Sequence, residues 1–436
     1  MVVISRSRFS RPVTSAGCSG HATSAGSQSA KWPSRRAMRS SSREASSYLP
    51  KISSRLSRTW SRISFTDSKY VAWHAPTRAY AKGDSMEYGV GLIGCGNIAG
   101  TWVKAVSGHA DCNLDLVFDL DRDAAQKRAD ESGARAIGEL EEMLASVEID
   151  LVVIGTPTPS HPDLVVQAAA AGKHVLCEKP MALSLDECQR MIDACEQAGV
   201  QLVIGHSLRF WGAFRVCRRL ISEGAIGTPV VGSVDRMGTA GIRKAESEEG
   251  AGGRDWRSSV RNSGGHLLEG YIHELDFTRS VFGEVASVTC ELAGGGEHGG
   301  LLSPVIAHGL ARFETGALVT LRTGSTVALP TRGYWISGTE GGLRFSEWGG
   351  PVEHFRADLK EKRLVSCDEP FAYYLELCDL LQAIEEKGVP ENSGLNGKKN
   401  IALGLAMYRS FETGRRVEFT DGIPQDVAAD YQNTKW

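Results

Sequence analysis

Two short stretches hold residues that could do chemistry together. The first is Glu178-Lys179-Pro180, which ends the apolar run Lys173–Cys177 about eighty residues after a glycine-rich turn. It offers an ammonium group preceded by a carboxylate and followed by a proline of fixed φ. If the run is a strand of a parallel sheet, the lysine emerges at the carboxyl edge, where open α/β sheets bind ligands. The alternative is a surface salt link. The second stretch is Ser263–Asp276, SGGHLLEGYIHELD. Helical spacing puts Glu269 and His273 on one face at i,i+4, with Asp276 three residues on and His266 three residues before Glu269. An imidazole beside a carboxylate can accept a proton near neutral pH, and the carboxylate would hold the ring and stabilise its charged form. The same residues resemble a metal-binding face, and equally an exposed helix edge with ordinary charge pairs. The segment alone leaves all three readings open.

The elements that must position these groups begin at Met86. Tyr88–Ile93 reads as an apolar strand, followed by Gly94-Cys95-Gly96-Asn97-Ile98-Ala99 and a helical run. This is G-x-G-x-x-G/A in its required context: the first glycine permits the turn, the second lets backbone approach a pyrophosphate, and Ala99 keeps helix close to strand. The helix N-terminus then offers free N–H groups to the phosphates. A second strand, Leu114–Phe118, ends in Asp119, twenty residues beyond Ala99. That is the spacing of a ribose-binding acid, which would accept from both hydroxyls and repel a 2′-phosphate, so NAD is favoured over NADP. Asp119, Asp121 and Asp123 could instead cap the next helix, and Arg122 leaves room for some NADP. Asp150–Gly155 is a buried strand running into Thr156-Pro157-Thr158-Pro159-Ser160-His161-Pro162, a proline-stiffened loop at the same sheet edge. His161 there either contacts the cofactor or is simply exposed. Helices over Asp163–Ala171 and Leu185–Ala198 and a strand over Val200–Ile204 complete repeated βα units, the pattern of a Rossmann-type, doubly wound parallel sheet.

After Gly205 the pattern changes. Ala213–Glu223 reads as a helix, and Pro229–Val234, Val285–Leu292, Val305–Glu314 and Ala317–Thr323 as strands, the last two joined at Thr315-Gly316. Tyr334–Ser337, Leu343–Phe345 and Val352–Phe355 add shorter strands, and the glycine-rich stretch 238–253 reads as a mobile loop. The fold class is therefore α/β: a Rossmann sheet over 86–205, then an α+β domain over 206–436 with a large, mostly antiparallel open sheet that binds substrate and supports oligomerisation.

Four stretches carry a family resemblance: GLIGCGNIAG, AGKHVLCEKPMALS, SGGHLLEGYIHELD and GLNGKKNIALGLAMYRSFETGRRV, in this order across roughly 88–420. The chain resembles the Gfo/Idh/MocA oxidoreductases, named for glucose–fructose oxidoreductase, inositol dehydrogenase and a rhizopine-catabolism protein. The resemblance implies a nicotinamide cofactor in the first domain and a sugar, cyclitol or related polyol against the second domain's sheet. Cofactor contacts are expected from Gly94, Gly96, Asn97, Ile98, Ala99, Asp119, Thr156, Pro157, His161, Glu178 and Lys179. Lys179 would hydrogen-bond the reacting oxygen and His273 would act as acid/base. Glu269 stands where many relatives have aspartate, which leaves its exact geometry open. Asp276 would touch substrate or brace its helix, and Arg209 lies toward the substrate side, with packing the favoured role. Hydride transfer from a secondary alcohol to the nicotinamide requires no metal. Two other classes share the architecture, NAD-dependent glycoside hydrolases and non-catalytic dinucleotide-binding regulators; Lys179 and His273 argue against the second.

Charge divides the chain unevenly. Residues 1–85 hold 15 Lys/Arg against 3 Asp/Glu and 21 serines, a net +12 beside −15 for the remainder. Such a head buries too little apolar surface to offset its ordering entropy. It fits an organellar transit peptide, or more weakly a secretion signal at Ser34-Arg35-Arg36; the favoured reading is that translation begins at Met86. The body then reads as cytoplasmic. Ten cysteines without a CxxC pair or zinc spacing read as reduced, buried thiols. No apolar run reaches about 18 residues free of charge, so no membrane span is expected; no nucleic-acid partner is expected either, and exposed sheet faces suggest a homodimer or homotetramer.

Overall fold

The structure, a computed structural model, describes residues 87–238, 257, 259–294, 306–325, 327, 329–367 and 370–434. The basic head and nearly all of the glycine-rich stretch 238–253 therefore lie outside the described residues. In the first half, strands β1 (Tyr88–Ile93), β2 (Cys112–Phe118), β3 (Arg135–Ala136), β4 (Leu151–Ile154), β5 (His174–Cys177) and β6 (Leu202–Ile204) alternate with helices α1 (Ala99–Ser107), α2 (Arg122–Ser132), α3 (Leu140–Ala145), α4 (His161–Ala170) and α5 (Leu185–Ala198). They form one parallel sheet in the order β3-β2-β1-β4-β5-β6. Order reverses between β1 and β4, which makes the switch-point crevice where such sheets bind nucleotides. Leu151, Val152, Val153 and Ile154 of β4 are fully buried, as a strand covered on both faces requires.

The second half contains α6 (Gly212–Ser222), β7 (Pro229–Met237), the short helices α7 (Val260–Ser263) and α8 (His266–Glu269), and α9 (Ile272–Phe282). Strands β8 (Val285–Ala293), β9 (Ile306–Phe313), β10 (Leu318–Gly324), β11 (Arg332–Gly338), β12 (Gly341–Phe345), β13 (Val352–Arg356) and β14 (Glu361–Val365) follow. Helices α10 (Ala372–Glu386) and α11 (Gly394–Thr413) and strands β15 (Val417–Thr420) and β16 (Ile423–Pro424) end the chain. The ten-stranded sheet runs β14-β13-β12-β11-β7-β10-β9-β8-β15-β16, antiparallel except where β7 pairs β10. Burial alternates along β9, with Ala307, Ala311 and Phe313 inside and His308, Leu310 and Arg312 outside, because one face packs on helices and the other is open.

The expected continuous helix over the second motif is broken. Backbone N–H groups of Gly270 and Tyr271 both bond to the His266 carbonyl at 2.9 and 3.0 Å, and a new helix starts at Ile272. The break lets fully buried Tyr271 reach the Val234 carbonyl with its hydroxyl. Leu377, Leu380 and Leu381 of α10 share one core cluster with Val90, Leu92 and Trp102 of the nucleotide-binding half. The second segment thus returns to roof the first sheet, and the two halves share a wall.

Candidate active site

A cleft of about 1310 Å³ opens at the carboxyl ends of β1 and β4 and runs to the second half. Its nucleotide end is the β1–α1 turn. Gly94 sits at φ +94°, and a Cβ there would lie 2.8 Å from the Gly155 carbonyl carbon, so only glycine fits. A Cβ at Gly96 would meet nothing within 4 Å, leaving open space for an approaching group. Helix α1 begins without a side-chain cap or an acidic residue in its first turn, so its N-terminal partial charge faces the cleft unneutralised. Asp119 accepts from Cys95 N at 2.7 Å and from Asp121 N at 2.8 Å, which fixes its carboxylate at the cleft wall with lone pairs to spare for ribose hydroxyls. An open cradle, an uncapped helix end and an oriented acid together fit a dinucleotide. Arg122 is paired with Glu139 at 3.5 Å, on the solvent side.

Asn97, Ile98, Thr156, Pro157, Glu178 and Lys179 line the same cleft. Two expected cofactor contacts do not. Ala99 is fully buried, where it lets α1 approach the sheet. His161 is also fully buried: its Nδ1 faces the Pro180 carbonyl at 3.0 Å and its Nε2 the Thr156 carbonyl at 2.9 Å. It is neither exposed nor at the cleft surface; it ties the Thr156 loop to the loop carrying Lys179.

At the far end, Lys179 is held by its own surroundings. Its Nζ donates to the Glu269 carbonyl at 2.8 Å and lies 3.4 Å from Glu269 Oε1, while the Lys179–Pro180 peptide bond is cis. Glu269 Oε1 also accepts from Arg257 Nε at 2.8 Å, and its other oxygen is buried without a partner. An ammonium has three donors, so one stays available to a ligand. Glu178 Oε1 accepts from Trp102 Nε1 at 2.9 Å; burial raises its pKa, against the opposing charge of Lys179. His273, at the start of α9, lines the cleft with Nδ1 buried and unpartnered. The ring of His206 stands edge-on to it, centroids 6.0 Å apart. Burial first, then the charges of Lys179, His206 and Arg236, push the His273 pKa well below the ordinary imidazole value, with Asp276 opposing. The ring is neutral near pH 7 and can accept a proton.

Asp276 and Arg209 stand behind this wall, outside the cleft lining. The Arg209 Nε and Nη2 atoms grip the fully buried Asp276 at 2.6 and 2.9 Å, and Asn396 and Asn400 each donate to it at 2.7 Å. Burial alone would raise its pKa, but Arg209 and these donors hold it well below the carboxylate range. Asp276 is thus bonded to three side chains behind the cleft wall, and neither it nor Arg209 lines the cleft. His266 likewise faces Thr323 Oγ1 at 2.8 Å, away from the cleft. Among the described residues no group of three or more His, Cys, Asp or Glu is arranged to hold a metal. Also among them, no helix is long and apolar enough to cross a membrane.

Sequence reasoning missed Arg236, Trp211, Trp348 and Tyr373, which line the cleft, and His206 beside His273. Arg236 carried a weak signal, a charge closing the apolar strand that begins at Pro229; the tryptophans carried none, because loops bring them together across more than a hundred residues.

Comparisons with known proteins agree with this architecture. Residues 88–206 match an oxidoreductase family described as an NAD-binding Rossmann fold, and residues 218–419 match the C-terminal alpha/beta domain of the same family. The 2,7-anhydro-N-acetylneuraminate hydratase of Escherichia coli K12 is 29% identical over 61% of this chain and 71% of its own. The 1,5-anhydro-D-fructose reductase of Ensifer adhaerens is 28% identical over 76% of this chain and 99% of its own. A crystal structure of an oxidoreductase domain protein from Kribbella flavida superimposes with a TM-score of 0.70 at 22% identity, covering 77% of this chain and all of that one, a likeness of fold. The chain belongs to the Gfo/Idh/MocA family of NAD-binding oxidoreductases.

Proposed function

We propose that this protein oxidises a secondary alcohol of a sugar, cyclitol or related polyol, or reduces the matching ketone. The observation that carries the reading is one cleft holding the glycine cradle at one end and, at the other, Lys179 fixed on Glu269 beside the unpartnered neutral imidazole of His273. NAD, when bound, supplies the hydride acceptor. Lys179 donates its remaining N–H to the reacting oxygen and stabilises the negative charge that grows there. His273 takes the hydroxyl proton, and Glu269 holds the ammonium so that it polarises rather than accepts. The Arg209–Asp276 brace keeps α9, and with it His273, at the cleft wall. Relatives named for a reductase and a hydratase of anhydro sugars support a carbohydrate substrate. The hydratase name also supports a second reading, in which a transient oxidation is reversed after water adds and no NADH accumulates. A panel of sugars, inositols and sugar acids followed by both NADH absorbance and product analysis separates the two. Accumulated NADH supports the dehydrogenase; converted substrate without NADH supports the hydratase-like cycle. The outer sheet face exposes Leu310, Trp335, Phe355 and Leu364, which supports a homo-oligomer, testable by light scattering.

A further inference from the structure

Arg236, the last residue but one of β7, lines the cleft, and among the described residues it is held on one side only. Its Nη1 donates to the Gly270 carbonyl at 2.8 Å and to Glu274 Oε1 and Oε2 at 3.3 and 3.1 Å. Glu274 is fully buried and also accepts from Tyr334 OH at 3.0 Å, and that hydroxyl accepts from Trp348 Nε1 at 3.1 Å. The guanidinium carbon lies 5.2 Å from the Trp348 ring centroid, so the plane of donors is fixed by an ion pair, a carbonyl and an indole. Neither Nε–H nor Nη2–H finds an acceptor among the described residues. The side chain keeps 30% exposure, and the cleft is what it faces.

Elsewhere in this chain the same edge of the guanidinium grips a carboxylate. Nε and Nη2 bond both oxygens of Asp276 in Arg209, of Asp235 in Arg322, of Glu284 in Arg279 and of Asp358 in Arg356. That edge presents two parallel donors whose spacing matches a carboxylate, and a charged acceptor roughly doubles the strength of each bond. Arg236 and Lys179 are anchored on the neighbouring carbonyls of Gly270 and Glu269, which puts both cations on one stretch of the cleft wall.

We propose that Arg236 is a specificity residue that binds a carboxylate of the substrate in a bidentate fork, which makes the preferred class a sugar acid or polyol acid over the neutral sugar. This rests on the oxidoreductase reading above, and the test separates the two. The full-length protein with NAD is given glucuronate, galacturonate and gluconate, beside glucose, galactose, myo-inositol and glucose 6-phosphate. The acids are expected to show kcat/KM at least about tenfold above the neutral partners. Arg236→Lys keeps a cation beside Glu274 but removes the fork; the acid preference should fall at least about tenfold, chiefly through KM. Binding is read independently by quenching of tryptophan fluorescence on titration with the same acids, expected in the wild type and weakened by Arg236→Lys. Equal rates for acids and neutral sugars, a preference for the phosphate, or an unchanged ratio in Arg236→Lys overturns the carboxylate fork while leaving the oxidoreductase standing. Binding of acids without turnover of any compound keeps the fork and overturns the oxidoreductase.

Discussion

A base must be neutral to work, and His273 is kept so by burial and by the cations around it. Because its pKa is pushed well below the ordinary 6.5, lowering pH protonates it only at values under that figure. The expected kcat/KM profile is therefore flat from pH 8 down through 6.5 and falls on the acid side below it. A limb that already descends at or above pH 6.5 would show a different base. His273→Ala should lower kcat about 10²–10⁴-fold, and Lys179→Ala about 10²–10³-fold. Both should leave NAD affinity, measured by fluorescence titration, nearly unchanged, because neither side chain lies at the glycine cradle. Asp119→Ala acts at the other end. Its loss removes acceptors for the ribose hydroxyls and the repulsion of a 2′-phosphate, so the ratio of NAD to NADP efficiency should drop about tenfold or more. A wild-type preference for NADP would refute that role.

Elements decide how much of this could be read beforehand. Strand β1, the G-x-G-x-x-A turn and Asp119 were legible because local chemistry dictates them: an apolar strand, a glycine at positive φ and an acid at a fixed interval. The break at Gly270–Tyr271 was not, since an i,i+4 count cannot see that Tyr271 seeks the Val234 carbonyl 37 residues away. Glu269 and His273 consequently meet the cleft from two helices, not one face. Arg209 and Asp276 lie 67 residues apart, and His161 bonds a carbonyl 19 residues on; such pairings appear only when the chain is folded. The brace has a measurable consequence. Asp276→Ala strands a buried guanidinium and should cost about 3–5 kcal/mol in urea unfolding, far more than Lys179→Ala at the cleft surface. Comparable stability of the two variants would mean that the buried pair holds nothing in place.

The whole molecule carries buried groups whose titration opposes its stability at both ends of the mild pH range. Burial lowers the pKa of His206 and of His266 to about 4; for His206, Arg209, Lys179 and Arg279 lower it further while Asp276 opposes, and for His266, Arg236 adds to burial. Above pH 6.5 these histidines are neutral both folded and unfolded and contribute nothing. Between 6.5 and 4 the unfolded chain binds protons that the folded chain refuses, so stability falls as pH falls, by on the order of 3 kcal/mol for each. Asp379 has the opposite sign. Burial first, and then Glu391, raise its pKa to about 7, so the folded state binds the extra proton between 3.8 and 7, and stability falls as pH rises through that window. The two trends partly cancel in the wild type, which flattens its pH dependence. Substitution separates them. His266→Asn can still bond Thr323 but cannot titrate, so its stability measured by urea midpoints should fall less steeply than wild type from pH 6.5 to 4, by about 1.4 kcal/mol per pH unit. Asp379→Asn should instead steepen the acid decline, because the compensating trend is gone. Parallel curves for wild type and His266→Asn would mean that this imidazole is charged in the folded protein.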